Sequence, residues 1–367
     1  VHFSIRNGKI SYSGMSESDG RVYYVEPYDD PRNPRGPYLI YEDRRIRTDI
    51  FGQFPLFLGA HRIESGIFEK GIQHDPTLEI LISENDIGMD FMEREKLPHI
   101  AVKEPVEELT SSFREAVELR ATEKMGLLLS GGVDSSAIAS ILAPYGAKAI
   151  CVGGGKDEEM AVRLAKGLGM DLITVHIDED EAEAAIPEIY EAIGMKCYVW
   201  STPVYLPVIT SLSIMFHFAF REAKKERIEH LFAGTGSEEL FAGFTDWTGE
   251  DLERQVMEKA YTINRRDLWR DHALAAQFGV EMRYPFLDRE FASIALSIPI
   301  DLKLGDGIKK YIWRKAAEAL GVPHENAWRK NRAAQYGSGA DRILERLVKR
   351  AGQRYRMNYL MELLEKA

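Results

Sequence analysis

The spacing of hydrophobic positions along this chain changes near residue 100. Before it, apolar residues come in short runs, Val22–Val25, Tyr38–Tyr41, Leu56–Leu58 and Leu78–Ile82, separated by turn-forming residues, the pattern of short β-strands. Asn7-Gly8 is a hairpin signal, and the Pro-rich stretch 29–37 reads as an exposed loop. A linker over Leu97 to Pro105 leads into a helix over about 106–121. Short apolar runs then alternate with helical spacing. The expected strands are Leu127–Leu129, Ala149–Val152, Leu172–Ile177 and His230–Ala233. The expected helices are Ser136–Leu142, Asp157–Leu168 ending at Gly169, about Glu181–Ile193, and an apolar one over about Val204–Lys225. This alternation predicts an α/β fold with a doubly wound parallel sheet, preceded by a smaller, mainly-β domain. Beyond about residue 250 the pattern is mainly helical, and 343–367 reads as an amphipathic helix with a basic start.

The chemistry is densest in Met125-Gly-Leu-Leu-Leu129-Ser130-Gly131-Gly132-Val133-Asp134-Ser135-Ser136. It reads as a buried strand, a tight glycine turn and a helix start, with Ser135 and Ser136 placed to cap free N–H groups. Unpaired N–H donors and the positive dipole end of a helix suit phosphate. The loop lacks the lysine of a Walker-type site and carries Asp134 instead. A carboxylate beside phosphates is repulsive unless Mg²⁺ lies between them. The plain alternative is an ordinary strand–glycine–helix turn.

Four further stretches carry candidate residues. Gly234-Thr235-Gly236-Ser237-Glu238-Glu239 follows an expected strand, so its loop shares a sheet edge with the first, and Glu238 would supply a second carboxylate to the same Mg²⁺. Acids favoured at a helix N-terminus are the alternative. Gly279-Val-Glu281-Met-Arg283-Tyr-Pro-Phe-Leu-Asp288 suggests a partly buried ion network. Lys310-Tyr-Ile-Trp-Arg314 puts two cations four apart, on one helical face or simply on the surface. The stretch 328–339, with Arg329, Lys330, Asn331 and Arg332 before Gly337-Ser338-Gly339, reads as a mobile loop able to close over an anion, or as a solvated turn.

Length and composition narrow the class. At 367 residues two domains are expected. A formal net charge of −11 speaks against a nucleic-acid partner. Cys151 and Cys197, the two cysteines, make no metal or disulfide framework by themselves, which suits a reducing cytoplasm. No charged-then-apolar leader is expected at the N-terminus, and Leu212–Phe220 is too short to span a bilayer. A cytoplasmic protein without membrane or nucleic-acid partners is expected.

Ser-Gly-Gly-Val-Asp-Ser resembles the pyrophosphate loop of the N-type ATP pyrophosphatases. Taken together, Ser130–Ser136, Gly234–Gly243, Glu281–Asp288, Lys310–Arg314 and Arg329–Gly339 are similar, in this order, to the synthetase domain of asparagine synthetases and to the related β-lactam and carbapenam synthetases. The resemblance covers roughly residues 105 to 340. It implies ATP and Mg²⁺ as cofactors and a small carboxylate, aspartate as first guess, activated as its acyl-adenylate. Ammonia or another amine would then displace AMP.

By position, Ser130, Gly131, Gly132, Asp134 and Ser135 would bind the pyrophosphate end of ATP, with Leu129, Ser136, Gly234, Thr235 and Gly236 also in the nucleotide site. Val152, Phe278 and Gly279 would line the adenine pocket, Asp134 and Glu238 would hold Mg²⁺, and Lys330, Arg332, Lys310 and Glu281 are the catalytic candidates. Thr235 stands where glutamine-using relatives have a Glu and β-lactam formers a Tyr, and Asn331 where the family has a catalytic lysine. Lys330 or Arg332 could replace that lysine after a one-residue shift.

The first residue is Val1, where full asparagine synthetases begin with a nucleophilic Cys. Arg47-Thr-Asp49-Ile-Phe-Gly52-Gln-Phe-Pro55-Leu56 nonetheless resembles a strand pair of their glutaminase domain. Residues 1–100 are therefore expected to be a shortened glutaminase-like domain without glutaminase activity, 105–345 the ATP-pyrophosphatase domain and 346–367 a helical tail. A separate glutaminase or a homo-oligomeric partner would fit. Alternatives are ring closure of the β-lactam synthetase kind and an ATP-binding regulatory or partner protein. A tRNA-modifying pyrophosphatase shares the first loop, but the acidic charge and later motifs speak against it.

Overall fold

The structure is a computed structural model. It describes residues 2–6, 9–13, 15–18, 21–25, 35, 37–42, 45–51, 53, 56–59, 62–64, 72–73, 78–82, 89–93, 96–195, 206–244, 251–330 and 334–366. By compactness the chain forms two units that interleave along the sequence. Val1–Ser112, Thr235–Trp269 and Phe286–Ile312 make the first, and Phe113–Gly234, Arg270–Pro285 and Trp313–Ala367 the second.

The first unit carries eleven short strands among the described residues. They are β1 (His2–Arg6), β2 (Lys9–Ser13), β3 (Ser16–Ser18), β4 (Arg21–Val25), β5 (Tyr38–Glu42), β6 (Arg45–Thr48), β7 (Phe57–Gly59), β8 (Arg62–Glu64), β9 (Ile72–Gln73), β10 (Leu78–Ile82) and β11 (Met89–Glu93). They make two antiparallel sheets, ordered β2-β1-β8-β7-β9 and β11-β10-β6-β5-β4-β3. Arg6 pairs with Lys9 where β1 and β2 meet, and Asn7-Gly8, the expected hairpin signal, lies outside the described residues. Phe3 and Ile5 of one sheet join Leu39, Ile46 and Ile80 of the other, with Leu56, in one buried cluster. Each such side chain removed from water contributes about 1.5–3 kcal/mol.

Helices complete this unit, among them Leu252–Tyr261 and Arg289–Ser297. Asp288 caps the latter, accepting from the Glu290 and Phe291 N–H groups, and pairs with Arg35 at 3.0 Å. Arg35 is therefore tied down, within a stretch expected to be wholly exposed; apart from Pro37, the rest of 29–37 lies outside the described residues.

The second unit is built on five parallel strands: β12 (Met125–Leu128), β13 (Lys148–Val152), β14 (Leu172–Val175), β15 (His230–Phe232) and β16 (Glu281–Arg283). Their order is β14-β13-β12-β15-β16. The chain moves outward from β12 through β13 to β14, then returns to the far side of β12 with β15. That reversal makes the carboxyl ends of β12 and β15 the topological switch point, where open α/β sheets hold ligands. Helices Val133–Leu142, Lys156–Leu168, Glu179–Ala192 and Leu206–Lys225 connect the strands. Asp178 caps the third, and Gly169 (φ +68°) ends the second in the left-handed conformation.

Thirteen of the twenty residues of Leu206–Lys225 are buried, so its apolar run is core. No helix among the described residues is long and apolar enough to cross a membrane. The C-terminal stretch is two helices, Ala340–Arg350 and Arg356–Lys366, rather than the single one expected, with Gly352 at φ +69° between them. They dock on Glu179–Ala192, where the Tyr359 hydroxyl donates to Glu183 at 2.7 Å and Arg350 to Asp180 at 2.6 Å.

Candidate functional site

The glycine loop leaves β12 at the switch point. Leu129 is buried and still laddered, its N–H donating to the Ile150 carbonyl at 2.8 Å, while Ser130 is exposed. Gly131 has φ +68°, and a Cβ there would lie 2.7 Å from Met160 Cβ and 2.8 Å from the Ala161 nitrogen. Only glycine fits. Gly132 is the N-cap of Val133–Leu142, and no side-chain hydrogen bond caps that helix. This corrects the expected capping by Ser135 and Ser136. The Ser135 hydroxyl instead turns back into the loop, accepting from the Ser130 N–H at 3.2 Å and donating to the Gly132 carbonyl at 3.3 Å. Ser136 is fully buried. The helix N-terminus thus has no side-chain cap and lies beside the exposed Ser130, an arrangement chemically able to accept an anion.

Asp134 sits in the first turn, its Oδ1 accepting from the Trp313 indole N–H at 2.9 Å. The second glycine loop arrives against it, for a Cβ on Gly234 would stand 3.0 Å from Asp134 Cβ. A carboxylate placed where phosphate would bind is the donor chemistry that a hard cation such as Mg²⁺ requires. Among the described residues there is no group of three or more His, Cys, Asp or Glu that could hold a metal ion.

The segment 326–329 braces this loop from within the unit. The Asn326 amide donates to the Gly131 carbonyl at 2.9 Å, and Arg329 reaches the Ser130 carbonyl at 3.4 Å. Arg329 also forms an ion pair with the buried Asp157. Arg314 is buried and donates to the carbonyls of Ala327, at 2.5 Å, and Arg329, at 2.9 Å. Trp313, Asn326 and Asp157 were not among the expected site residues. A lone indole, amide or carboxylate in a helix gives no sequence signal, and only the packing brings the Trp313 and Asn326 donors to the loop and Asp157 to Arg329. The glycines 337 and 339 do not form the open loop expected. A Cβ on Gly153 would lie 2.5 Å from Ser338 Cα, so Ser338 is packed against the turn after β13. Gly339 opens the helix Ala340–Arg350.

The remaining candidates fall in several places. Val152 ends β13 on the same edge as the glycine loop. Beside it Cys151 is buried, and its thiol is pushed up to about 12 by burial, with Glu158 adding to the shift and Arg329 opposing it. Glu281 and Gly279 are not brought to the site. Glu281 pairs with His230 and, through it, with Met125, the first residues of their strands. Ser130 lies five positions beyond Met125 along extended chain, roughly 15 Å away. Gly279 precedes Glu281 as the left-handed end of a helix, at the same opposite edge, and Phe278 packs against His217 and Phe220. Of the expected ion network, Glu281 pairs with Arg283 at 3.1 Å, and Asp288 pairs with Arg35 at 3.0 Å. Lys330 is exposed; Asn331 and Arg332 lie outside the described residues.

Thr235, Gly236, Glu238 and Lys310 belong to the first unit. Gly236 has φ +102° and begins the short helix Ser237–Leu240. Lys310 is not on a helical face with Arg314. It precedes the helix Tyr311–Ala319 at φ +58°, is wholly buried, and pairs with Glu238 at 2.7 Å and with the Ser237 hydroxyl at 2.9 Å. Next to Glu238, Glu239 is buried, which pushes its carboxyl up to about 7 against the pull of Arg266 at 2.7 Å.

Fold and loop define a doubly wound α/β protein with a glycine loop at its switch point. The model of the asparagine synthase family matches residues 108–266 and 246–360, and the chain belongs to that family. It is 27% identical over 328 residues to the putative asparagine synthetase [glutamine-hydrolyzing] 1 of Methanocaldococcus jannaschii, covering 76% of this chain and 58% of that protein. It is also 27% identical over 348 residues to asparagine synthetase B [glutamine-hydrolyzing] of Escherichia coli K12, covering 82% of this chain and 60% of that one. The chain thus spans about three fifths of the length of these relatives. A match over 82% of 367 residues begins no later than about residue 67, so it reaches into the β-rich first hundred residues. Among solved structures, NMN synthetase from Francisella tularensis shares 13% identity over 71% of this chain at a TM-score of 0.32, too low to bear on fold or function.

Proposed function

We propose that this chain is an ATP-dependent amide ligase of the asparagine synthetase type. A substrate carboxylate oxygen attacks the α-phosphorus of ATP, and the bond to the leaving pyrophosphate breaks. An amine nitrogen then attacks the acyl carbon of the adenylate, AMP leaves, and the amine gives up its proton. Aspartate is the first candidate acid, and ammonia or another amine the acceptor. The observation that carries this reading is the uncapped glycine-loop helix with Asp134 at the switch point.

In this reading Ser130, Gly132 and the first-turn N–H groups bind the pyrophosphate end. Ser135 keeps the loop folded, and Val152 lies on the adenine side. Asp134 holds Mg²⁺, which when bound supplies neutralisation of the phosphate charge. Arg329 places a cation beside the Ser130 carbonyl, where leaving-group charge develops, and Lys330 and Arg332 remain the candidates for direct contact. Positioning and charge stabilisation account for most of the catalysis in such transfers.

Residues 1–100 are read as a shortened glutaminase-like domain. The reach of the Escherichia coli match and the two antiparallel sheets support that reading. The test is pyrophosphate release from Mg·ATP with L-aspartate and ammonium, followed by a panel of other carboxylates. AMP and asparagine formed in step is the expected result. No release with any acid, although ATP binds, would replace this reading with a regulatory one. Thr235, a neutral hydroxyl where a proton acceptor is expected, favours a different acyl acceptor as the second reading. Pyrophosphate release with another acid or amine alone would select it.

A further inference from the structure

Asn326 lies on the short helix His324–Ala327, 1% exposed, with its side-chain amide nitrogen 2.9 Å from the Gly131 carbonyl oxygen. Only the amide nitrogen can face a carbonyl, since two acceptors would repel. In a trans peptide the C=O of one residue and the N–H of the next point in opposite directions. A Gly131 carbonyl held inward therefore turns the Gly132 N–H outward. There it donates to the hydroxyl of the exposed Ser130 at 3.3 Å.

A Gly-Gly peptide is weakly restrained by its own sterics, because glycine adopts either sign of φ. Half a rotation of that one peptide would exchange the outward donor for an outward carbonyl oxygen. The loop would then meet a phosphate with the negative end of a dipole. Within the loop the 3.3 Å bond to the exposed Ser130 hydroxyl favours the donor-out state weakly, and Asn326 is the buried group from outside the loop bonded to the peptide that would flip. The tie between Arg314 and the Ala327 and Arg329 carbonyls keeps the segment that bears Asn326 in place.

We propose that Asn326 is a positioning residue which fixes the Gly131–Gly132 peptide with its N–H outward and so sets the loop's affinity for pyrophosphate-bearing ligands. The proposal rests on the ligase reading for the identity of the ligand. It makes a distinction that a general structural role does not. Ligands with a β-phosphate depend on Asn326, and AMP does not.

The experiment measures binding of Mg·ATP, Mg·pyrophosphate and AMP to the full chain and to its Asn326→Asp and Asn326→Leu variants, by calorimetry. Expected is a loss of about tenfold or more for ATP and pyrophosphate in both variants, with AMP affinity unchanged. The Asp variant should recover part of its affinity at pH 5, where the protonated acid again donates. If the Asp variant does not fold, the uncharged Leu variant of similar volume carries the comparison. Wild-type affinity for ATP and pyrophosphate in the variants, or equal losses for ATP and AMP, would overturn the proposal. A wild type that binds pyrophosphate but not ATP would remove the ligase reading and leave the variants to decide on Asn326. Binding of neither would remove both.

Discussion

The ammonium of Lys310 lies 2.7 Å from the carboxylate of Glu238, with Lys310 itself wholly enclosed. Two residues expected to act separately, one as catalyst and one as metal ligand, are thus each other's counter-ion within the first unit. Glu238 keeps 38% of its side-chain exposure, so water screens it while Lys310 has no such relief. Lys310→Met should therefore destabilise the chain by about 1–3 kcal/mol, below the full cost of breaking a buried pair. Urea unfolding of Lys310→Met, Glu238→Gln and the double variant should give a coupling of about 1 kcal/mol or more. Additive losses would show that the pair is not energetically linked.

Trp313 orients Asp134 from a wholly buried ring that packs edge-on against Phe113, with centroids 4.8 Å apart. Trp313→Phe keeps an aromatic ring in that place and deletes only the N–H and some volume. The expected stability loss is about 1–3 kcal/mol. The informative readout is the Mg²⁺ concentration giving half-maximal ATP binding, which should rise several-fold as the carboxylate loses its fixed orientation. An unchanged Mg²⁺ requirement would show that the indole only fills space.

The two glycines of the loop should respond differently to alanine. At Gly131 the new methyl meets Met160 Cβ and the Ala161 backbone at φ +68°, so Gly131→Ala should cost about 2–4 kcal/mol. At Gly132 φ is −80° and the nearest atom is Ser130 Oγ at 3.4 Å. Gly132→Ala should cost under about 1 kcal/mol, the ordinary penalty at an N-cap. Thermal unfolding of both variants separates the cases, and similar losses would contradict the geometry.

Lys303 gives the chain a basic-side pH dependence. It is buried beside the apolar cluster that includes Ile300 and Leu304, and burial pulls its ammonium down from 10.5 to about 7, with Glu253 opposing the shift. Because the folded value is depressed, the contribution to stability is fully present above 10.5 and is lost as the pH falls toward about 7. Lys303→Met should be more stable than wild type near pH 7, and the gap should narrow steadily up to pH 10. A gap constant with pH would mean that the amine stays charged in the fold.

What could be read from the chain divides along a physical line. Gly131, Gly132 and Asp134 were legible because strand, turn and helix are adjacent in sequence, so local pattern and chemistry coincide. The order of strands in the sheet is not written locally, and it decides which loops meet. Glu281 and Gly279 show the consequence: their motif was visible, but register places them at the starts of strands rather than at the ends. The spacing of Lys310 and Arg314 suggests a shared helical face or plain surface charge. The left-handed backbone of Lys310 and its partner Glu238, seventy-odd residues earlier, exist only in three dimensions. Trp313 and Asn326 were missed for the opposite reason, since each looks like ordinary helix filling until its single donor is seen pointing at the loop.

The bond between Asn326 and Gly131 joins positions 195 residues apart. At translation rates of about 5–20 residues per second, the loop leaves the ribosome about 10–40 s before the side chain that braces it. The strands on either side of β12 are made in that interval, so a nascent chain can hold most of its parallel sheet while its phosphate cradle is still free to flip. On the ligase reading, nucleotide affinity would then be acquired near the end of synthesis rather than with the sheet, and a chain stalled before residue 326 would lack the brace on its glycine loop.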